Sequence, residues 1–348
     1  MNVLMIGPAR NVHGGISGVV NNLYEAGLDK KVNINYIGTM EEGSKLHKLA
    51  VAIKAYIAFR IQLKGADIVH VNMASDSSFY RKALFVRAAH RAKKPIIIHQ
   101  HGGDFSTFYE GLSSKKQDYI KKILNMASEF LVLSPAYEEF FKELVTSCNI
   151  KITPDTIKVP SRENDSTKDR HSILFLGRVC KAKGVSELLS AIKALETEFP
   201  DIHLYIGGIF EDLEYKSIID SMKNRVTYLG WLEGEAKRQY LRKTDIFVLP
   251  SYFEGQSVAI LEAMANGCAV VGSNVGGIPM MIEDSVTGVL VEPKNAESLV
   301  NGLRRLLGDD DFKDEVRRKA YSRVLEDFSI DNTISELVNI YSGVSIND

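Results

Sequence analysis

Short apolar runs rich in Val and Ile recur along this chain, each followed by a longer amphipathic stretch, and that alternation limits the folds open to it. VLMI (3–6), VNINYI (32–37), DIVHV (67–71), PIIIH (95–99) and EFLVL (129–133) form a first series. ILFLG (173–177), IHLYIG (202–207), VTYLG (226–230), IFVLP (246–250), AVVGS (269–273) and GVLVEP (288–293) form a second. Runs of this kind alternating with helices specify parallel sheets covered on both faces. Between the series, PSRENDSTKDRH (160–171) is polar and has no apolar period, which places a linker there. A chain of 348 residues is long for one hydrophobic core. The pattern therefore predicts an α/β protein of two doubly wound domains, 1–165 and 166–328, with a cleft between them. In such sheets ligands sit at the carboxyl ends of the strands, so the loops after each strand are the places to search.

Charge narrows the partners. The formal net charge is −1, which gives no global field for nucleic acid. Residues 1–165 carry 22 Lys and Arg against 16 Asp and Glu, and the remainder carries 21 against 28. That asymmetry fits a first half facing an anionic surface, or scatter between two solvated surfaces. Cys148, Cys180 and Cys268 are far apart and odd in number, as expected of free thiols in a reducing compartment, not of a disulfide frame or a zinc site. MNVLMIGPAR reads as a first strand and not as a signal peptide. LAVAIKAYIAF (49–59) is too short to span a bilayer and contains Lys54. A cytoplasmic protein is expected.

The stretch SYFEGQSVAILEAMANG (251–267) follows the run IFVLP and carries Glu254 and Glu262. It reads as a strand-end loop and then a helix, with Glu254 before the helix N-terminus and Glu262 inside it. Free N–H groups and the helix dipole at that end favour an anion such as phosphate. Two carboxylates beside a phosphate make sense as acceptors for hydroxyl groups on either side of it, the arrangement a diphosphate between two sugars offers. The alternative is a capping Glu254 and a partly exposed Glu262. In ILFLGRVCKAKGVSELLSA (173–191), Arg178 and Lys183 flank the turn after a strand, with Gly184 at the helix start. A guanidinium fork and an ammonium both suit a diphosphate, and both also serve as ordinary surface cations.

Two stretches of the first half stand beside these. In IIIHQHGGDF (96–105), His99 remains on the strand and reads as packed, while His101 beside Gly102 is placed to touch a ligand; the pair lacks a third metal ligand at useful spacing. In NVHGGISGVVNNL (11–23), Gly14 and Gly15 precede a helix starting near Ile16 and let backbone approach an anion. Neither a dinucleotide G-x-G-x-x-G nor a phosphate loop is present. The run Asp309–Asp311 has a metal-like spacing but reads as a helix end and the cap of the next helix.

Together these stretches resemble the retaining glycosyltransferases of family 4, which have the GT-B fold, over nearly the whole chain. The resemblance rests on Glu254-GQSVAIL-Glu262 followed by AMANG, on GRVCKAKG (177–184) and on SNVGGIPMMIEDSVTGVLVEP (273–293). The E-G-Q-S variant looks like members that build bacterial capsules and O-antigens. The resemblance implies a hexosyltransferase in which Arg178 and Lys183 hold the diphosphate of a nucleotide sugar, a UDP-hexose, and Glu262 binds the ribose. Glu254 with the backbone near Gly255, Gln256 and Ser257 would hold the donor sugar. His101 would sit near the transferred sugar, and Gly14 and Gly15 near the phosphates or the acceptor. It implies no cofactor and no metal, a glycan or lipid-linked acceptor bound by the 1–165 domain, and a last helix, 329–348, that packs back on that domain. Met280, KVPSRE (158–163) and Asp284-Ser285 depart from the family pattern and touch only finer donor-sugar contacts. A nucleotide-sugar epimerase lacks this E-x7-E arrangement, and a non-catalytic partner subunit would be expected to lose the phosphate and sugar residues.

Two stretches mix cations with apolar residues. SKLHKLAVAIKAYIAFRIQLKG (44–65) places Lys45, Lys48, Lys54, Arg60 and Lys64 among Leu46, Leu49, Ile53, Ile57 and Ile61, and KKQDYIKKIL (115–124) sets four lysines beside Tyr119, Ile120 and Ile123. Such helices can make weak peripheral contact with an anionic membrane, here at its inner face, or turn their apolar residues to the core and their lysines to water.

Overall fold

The computed structural model describes residues 1–102, 105–160 and 168–346. The apolar runs become the strands β1 (Asn2–Gly7), β2 (Asn33–Gly38), β3 (Ile68–Met73), β4 (Ile96–Gln100), β5 (Glu129–Val132) and, in the second series, β7 (Asp169–Leu176), β8 (His203–Gly207), β9 (Val226–Gly230), β10 (Thr244–Leu249), β11 (Ala269–Ser273) and β12 (Val289–Val291). One further strand, β6 (Ile150–Ile152), has three half-buried residues, too short and too mixed to announce itself in the sequence. The strands form two six-stranded sheets, ordered β2-β1-β3-β4-β5-β6 and β12-β11-β10-β7-β8-β9. Every pairing between neighbouring strands is parallel among the described residues. The central strands are buried on both faces, as their unbroken apolar runs require.

Two compact units result: Met1–Lys158 together with Ile330–Asp348, and Val159–Ser329. Most of the stretch read as a linker, 161–167, lies outside the described residues. Its last part is not linker: Asp169, Arg170 and His171 open β7. The sequence hides this because the strand start is polar. Lateral partners meet most of it, with the His171 N–H donating to Asp245 Oδ2 and His171 Nδ1 2.6 Å from Asp201, while His171 Nε2 is buried without a hydrogen-bond partner. The final helix, Ile330–Ile346, belongs to the first unit, where the buried Tyr341 hydroxyl lies 2.6 Å from His70 Nδ1 on β3.

Helix starts follow their capping chemistry. Ser44, Asn295 and Asp309 each accept a hydrogen bond from the backbone N–H three residues on. Asp309–Asp311 is accordingly the start of the helix Asp310–Asp327, with Asp310 bound to Lys313 at 2.7 Å. The two cation-rich helices differ. In the helix Ser114–Leu124, Ile120, Ile123 and Leu124 are buried, so its apolar face belongs to the core and its lysines to water. In the helix Lys45–Gln62, only Ala55 and Phe59 are buried, and Leu46, Leu49, Ile53, Ile57 and Ile61 stand in solvent.

Candidate functional site

In the second sheet β7 and β10 are neighbours, and the chain leaves them in opposite directions, to β8 and β9 on one side and to β11 and β12 on the other. The loops at their carboxyl ends therefore diverge over the switch point where ligands of doubly wound sheets bind. One loop carries Arg178 to Lys183, the other Ser251 to Ser257. Glycines press the two together. Gly184 has φ +71°, and a Cβ there would run into the Pro250 carbonyl oxygen. The Tyr252 N–H donates to Ala182 O at 2.9 Å, and the Tyr252 hydroxyl donates to Glu187 at 2.7 Å. From below, Gly276 (φ +52°) and Gly277 sit against the carbonyls of Glu254 and Gly255, leaving no space for a side chain, and the Gly277 N–H donates to Glu254 O at 3.3 Å.

This backbone brings the residues picked from the sequence into pairs. Lys183 forms an ion pair with Glu254 Oε1, which also accepts from the Ser251 hydroxyl at 2.8 Å. The Lys183 and Glu254 side chains are 17% and 12% exposed. Glu254 does not cap the following helix; Ser257 does, accepting from the Ile260 N–H. Glu262, inside the helix Val258–Ala265, pairs with Lys237 at 2.6 Å. Arg178 is 56% exposed and meets Glu211 at 2.6 Å. Gly255, Gln256 and Ser257 are buried. Ser251, Lys237 and Glu211 were not singled out from the sequence. Ser251 opens the loop that carries Glu254; Lys237 and Glu211 sit on other elements, and nothing in their local pattern points to Glu262 or Arg178.

Arg178 and Lys183 are each matched by a carboxylate, and both cations, with the N-terminus of the helix Val258–Ala265, are groups of a kind that suits a diphosphate.

The first unit holds a second set of polar groups. The order β2-β1-β3 puts its switch point between β1 and β3, and Gly14 and Gly15 lie after β1 at the start of the helix Gly15–Glu25. A Cβ at either glycine would meet nothing within 4 Å, so the space before this helix is open. His101 follows β4. Its side chain is 3% exposed, with Nδ1 3.2 Å from Asp155 Oδ1 and Nε2 3.0 Å from Asn72 Oδ1. Asn72 donates its own Nδ2 to Ile6 O, which turns its oxygen to the ring. Both His101 nitrogens thus face acceptors. His99 is packed on β4 as expected, 4.0 Å from the His101 ring, and burial first, then the His101 charge, hold its imidazole well below the usual range. Burial likewise lowers His70 to about 3.

The sequence showed no third metal ligand beside His99 and His101; the fold supplies one. A ligand atom from each of His99, His101 and Asp155 lies within 4.8 Å of the others. The nitrogens are committed, however: His99 Nε2 lies 3.3 Å from the Thr153 carbonyl, and both His101 nitrogens are engaged as above. A metal would have to displace those partners.

Two parallel six-stranded sheets with these loops over the second switch point are the GT-B architecture. Within it, residues 158–323 match the family model of glycosyl transferases group 1, so the chain carries that family's domain. An uncharacterised glycosyltransferase of Methanocaldococcus jannaschii is 36% identical over 180 residues, 50% of this chain and 45% of that protein; the match spans less than half the length of that relative. The UDP-Gal:alpha-D-GlcNAc-diphosphoundecaprenol alpha-1,3-galactosyltransferase of Escherichia coli is 26% identical over 348 residues, covering 92% of this chain and 86% of that one. Sucrose-phosphate synthase of Thermosynechococcus elongatus superposes with a TM-score of 0.80 over 100% of both chains at 19% identity, which shows the shared fold.

Proposed function

We propose that this chain is a retaining hexosyltransferase that moves a sugar from a nucleotide sugar, UDP-linked, onto a glycan or lipid-linked acceptor in polysaccharide biosynthesis, at the inner face of a membrane and without a divalent metal. The observation that carries it is the meeting of Lys183 with Glu254 over the β7/β10 switch point, with Arg178 on the same loop and Glu262 in the helix behind. Arg178 and Lys183 stabilise the departing diphosphate, and Glu262 accepts from the ribose hydroxyls. Glu254, Gly255, Gln256 and Ser257 position the donor sugar. In the first unit, His101, fixed by Asp155 and Asn72, serves as a sugar contact, and Gly14 and Gly15 as a phosphate or acceptor contact. The acceptor hydroxyl attacks the anomeric carbon on the face the diphosphate leaves, and its proton passes to a diphosphate oxygen; no covalent enzyme intermediate is formed. The name of the Escherichia coli relative supports a UDP sugar and a diphosphate-linked lipid acceptor.

The test is a donor screen by thermal stabilisation, followed by transfer assays in EDTA. A true donor at 100 times its Kd adds ~2.7 kcal/mol of stability. No stabilisation by any UDP sugar would count against the donor assignment, and activity lost in EDTA and restored by Mn²⁺ would end the metal-free reading and direct attention to His99, His101 and Asp155.

A further inference from the structure

The helix Lys45–Gln62 is apolar on the side turned away from its own core. Ala55 and Phe59 hold it to the first unit, Phe59 packing edge-on against Phe85 at 5.0 Å. Leu46, Leu49, Ile53, Ile57 and Ile61 are 80%, 58%, 54%, 56% and 71% exposed. At 100° per residue these five fall within an arc of about 120° along the whole helix, roughly opposite the buried pair. Isolated exposed aliphatics are ordinary, but a continuous stripe of five is not. The helix carries no Asp or Glu, and Lys45, Lys48, Lys54, Arg60 and the following Lys64 are all exposed.

We infer that this helix is the element by which the protein lies on an anionic membrane surface, its aliphatic stripe at the headgroup boundary and its cations toward lipid phosphates. Charge selects this occupant. A second copy docked stripe to stripe would bring Lys54 and Arg60 against their own kind, whereas anionic lipid matches them. Arg60 sits within the arc, where its long stem lies along the aliphatics while its head reaches the headgroups. The helix Ser114–Leu124, with its apolar residues in the core, adds lysines at most. The inference extends the proposed lipid-linked acceptor: docking here sets the acceptor-binding unit at the surface where such a lipid resides.

The experiment is sedimentation of the full chain with phosphatidylglycerol-containing and pure phosphatidylcholine vesicles at low and high salt. Neither donor nor acceptor is present, so failure here leaves the transferase reading standing, and failure of the donor screen leaves this one standing. Wild type is expected to bind the anionic vesicles, weakly and salt-sensitively. Ile53→Ser with Ile57→Ser should reduce partitioning at least tenfold with an unchanged melting temperature, since both side chains are in water. Lys54→Glu with Arg60→Glu should abolish the preference for anionic lipid. Equal, negligible binding to both vesicle types, undiminished binding by the Ile53→Ser/Ile57→Ser variant, or a solution dimer that this variant converts to monomer would overturn the inference.

Discussion

Replacing Lys183 by Met leaves the Glu254 carboxylate with the Ser251 hydroxyl and without its cation. Breaking a fully buried ion pair costs ~3–5 kcal/mol, and an exposed pair is worth ~0–1 kcal/mol. At 17% and 12% exposure this pair lies between, nearer the buried limit, and Ser251 still supports Oε1, so the expected loss is ~2 kcal/mol. In a unit the size of Val159–Ser329 that corresponds to a fall in Tm of about 4–8 °C. Glu254→Gln in the same background removes the stranded charge, so the double variant should recover to within ~1 kcal/mol of wild type, a coupling of ~1–3 kcal/mol. The chain has a single tryptophan, Trp231, and it lies in this unit, so urea unfolding followed by its fluorescence reports the right transition. Transfer activity should stay lost in Lys183→Met and in the double variant, because the diphosphate has lost its ammonium whatever the stability. Strict additivity of the two substitutions would refute the structural half of this reasoning, and an active double variant the functional half.

Arg178→Ala is expected to lower kcat by ~10²-fold or more through lost stabilisation of the leaving diphosphate, while Glu262→Ala should chiefly raise KM for the donor, since a ribose contact is alike in ground and transition states. Steady-state kinetics of the two decide it; equal kcat losses with unchanged KM would contradict the division of roles. Gly276→Ala cannot keep φ +52° without strain of ~1–2 kcal/mol and pushes a methyl into the Glu254 carbonyl, so donor affinity should fall in calorimetry although no donor contact has been removed. Lys82 is 1% exposed, with its ammonium 2.8 Å from the Ser78 hydroxyl, and burial, with Arg81 adding, lowers its pKa to about 7. The unfolded chain binds the extra proton between about pH 7 and the ordinary lysine pKa near 10.4, so wild-type stability rises with pH across that window. Lys82→Met should therefore be more stable than wild type by roughly 2–4 kcal/mol at pH 7, with the gap closing toward pH 10 in urea titrations.

The fold was largely legible because a parallel strand covered on both faces must be apolar at nearly every position, a signature that helix and loop do not imitate over this many segments. It failed where that rule relaxes. The opening of β7 is polar because Asp245 and Asp201 meet most of it from neighbouring elements, and β6 is too short to show a pattern. The two cation-rich helices show a subtler gap. Periodicity says that an apolar face exists and not which way it turns. In 114–124 the face meets the core; in 45–62 Ala55 and Phe59 occupy that role and the larger stripe is left outside.

The candidate site divides the same way. Its backbone was legible through its glycines: Gly184 and Gly276 adopt positive φ and leave no space for a Cβ, so residue type and geometry coincide. Its charged residues were legible as types placed on strand-end loops. Their pairings were not, because each joins elements remote in sequence: Lys183 reaches Glu254 across 71 positions, Lys237 reaches Glu262 across 25, and Asp155 reaches His101 across 54. That separation also explains why His99 and His101 read as lacking a third ligand until β4 and the segment after β6 were set side by side. Only the sheet order makes those distances short. Residue types at strand ends thus foretell what chemistry a loop can hold, and the topology decides which loops share it.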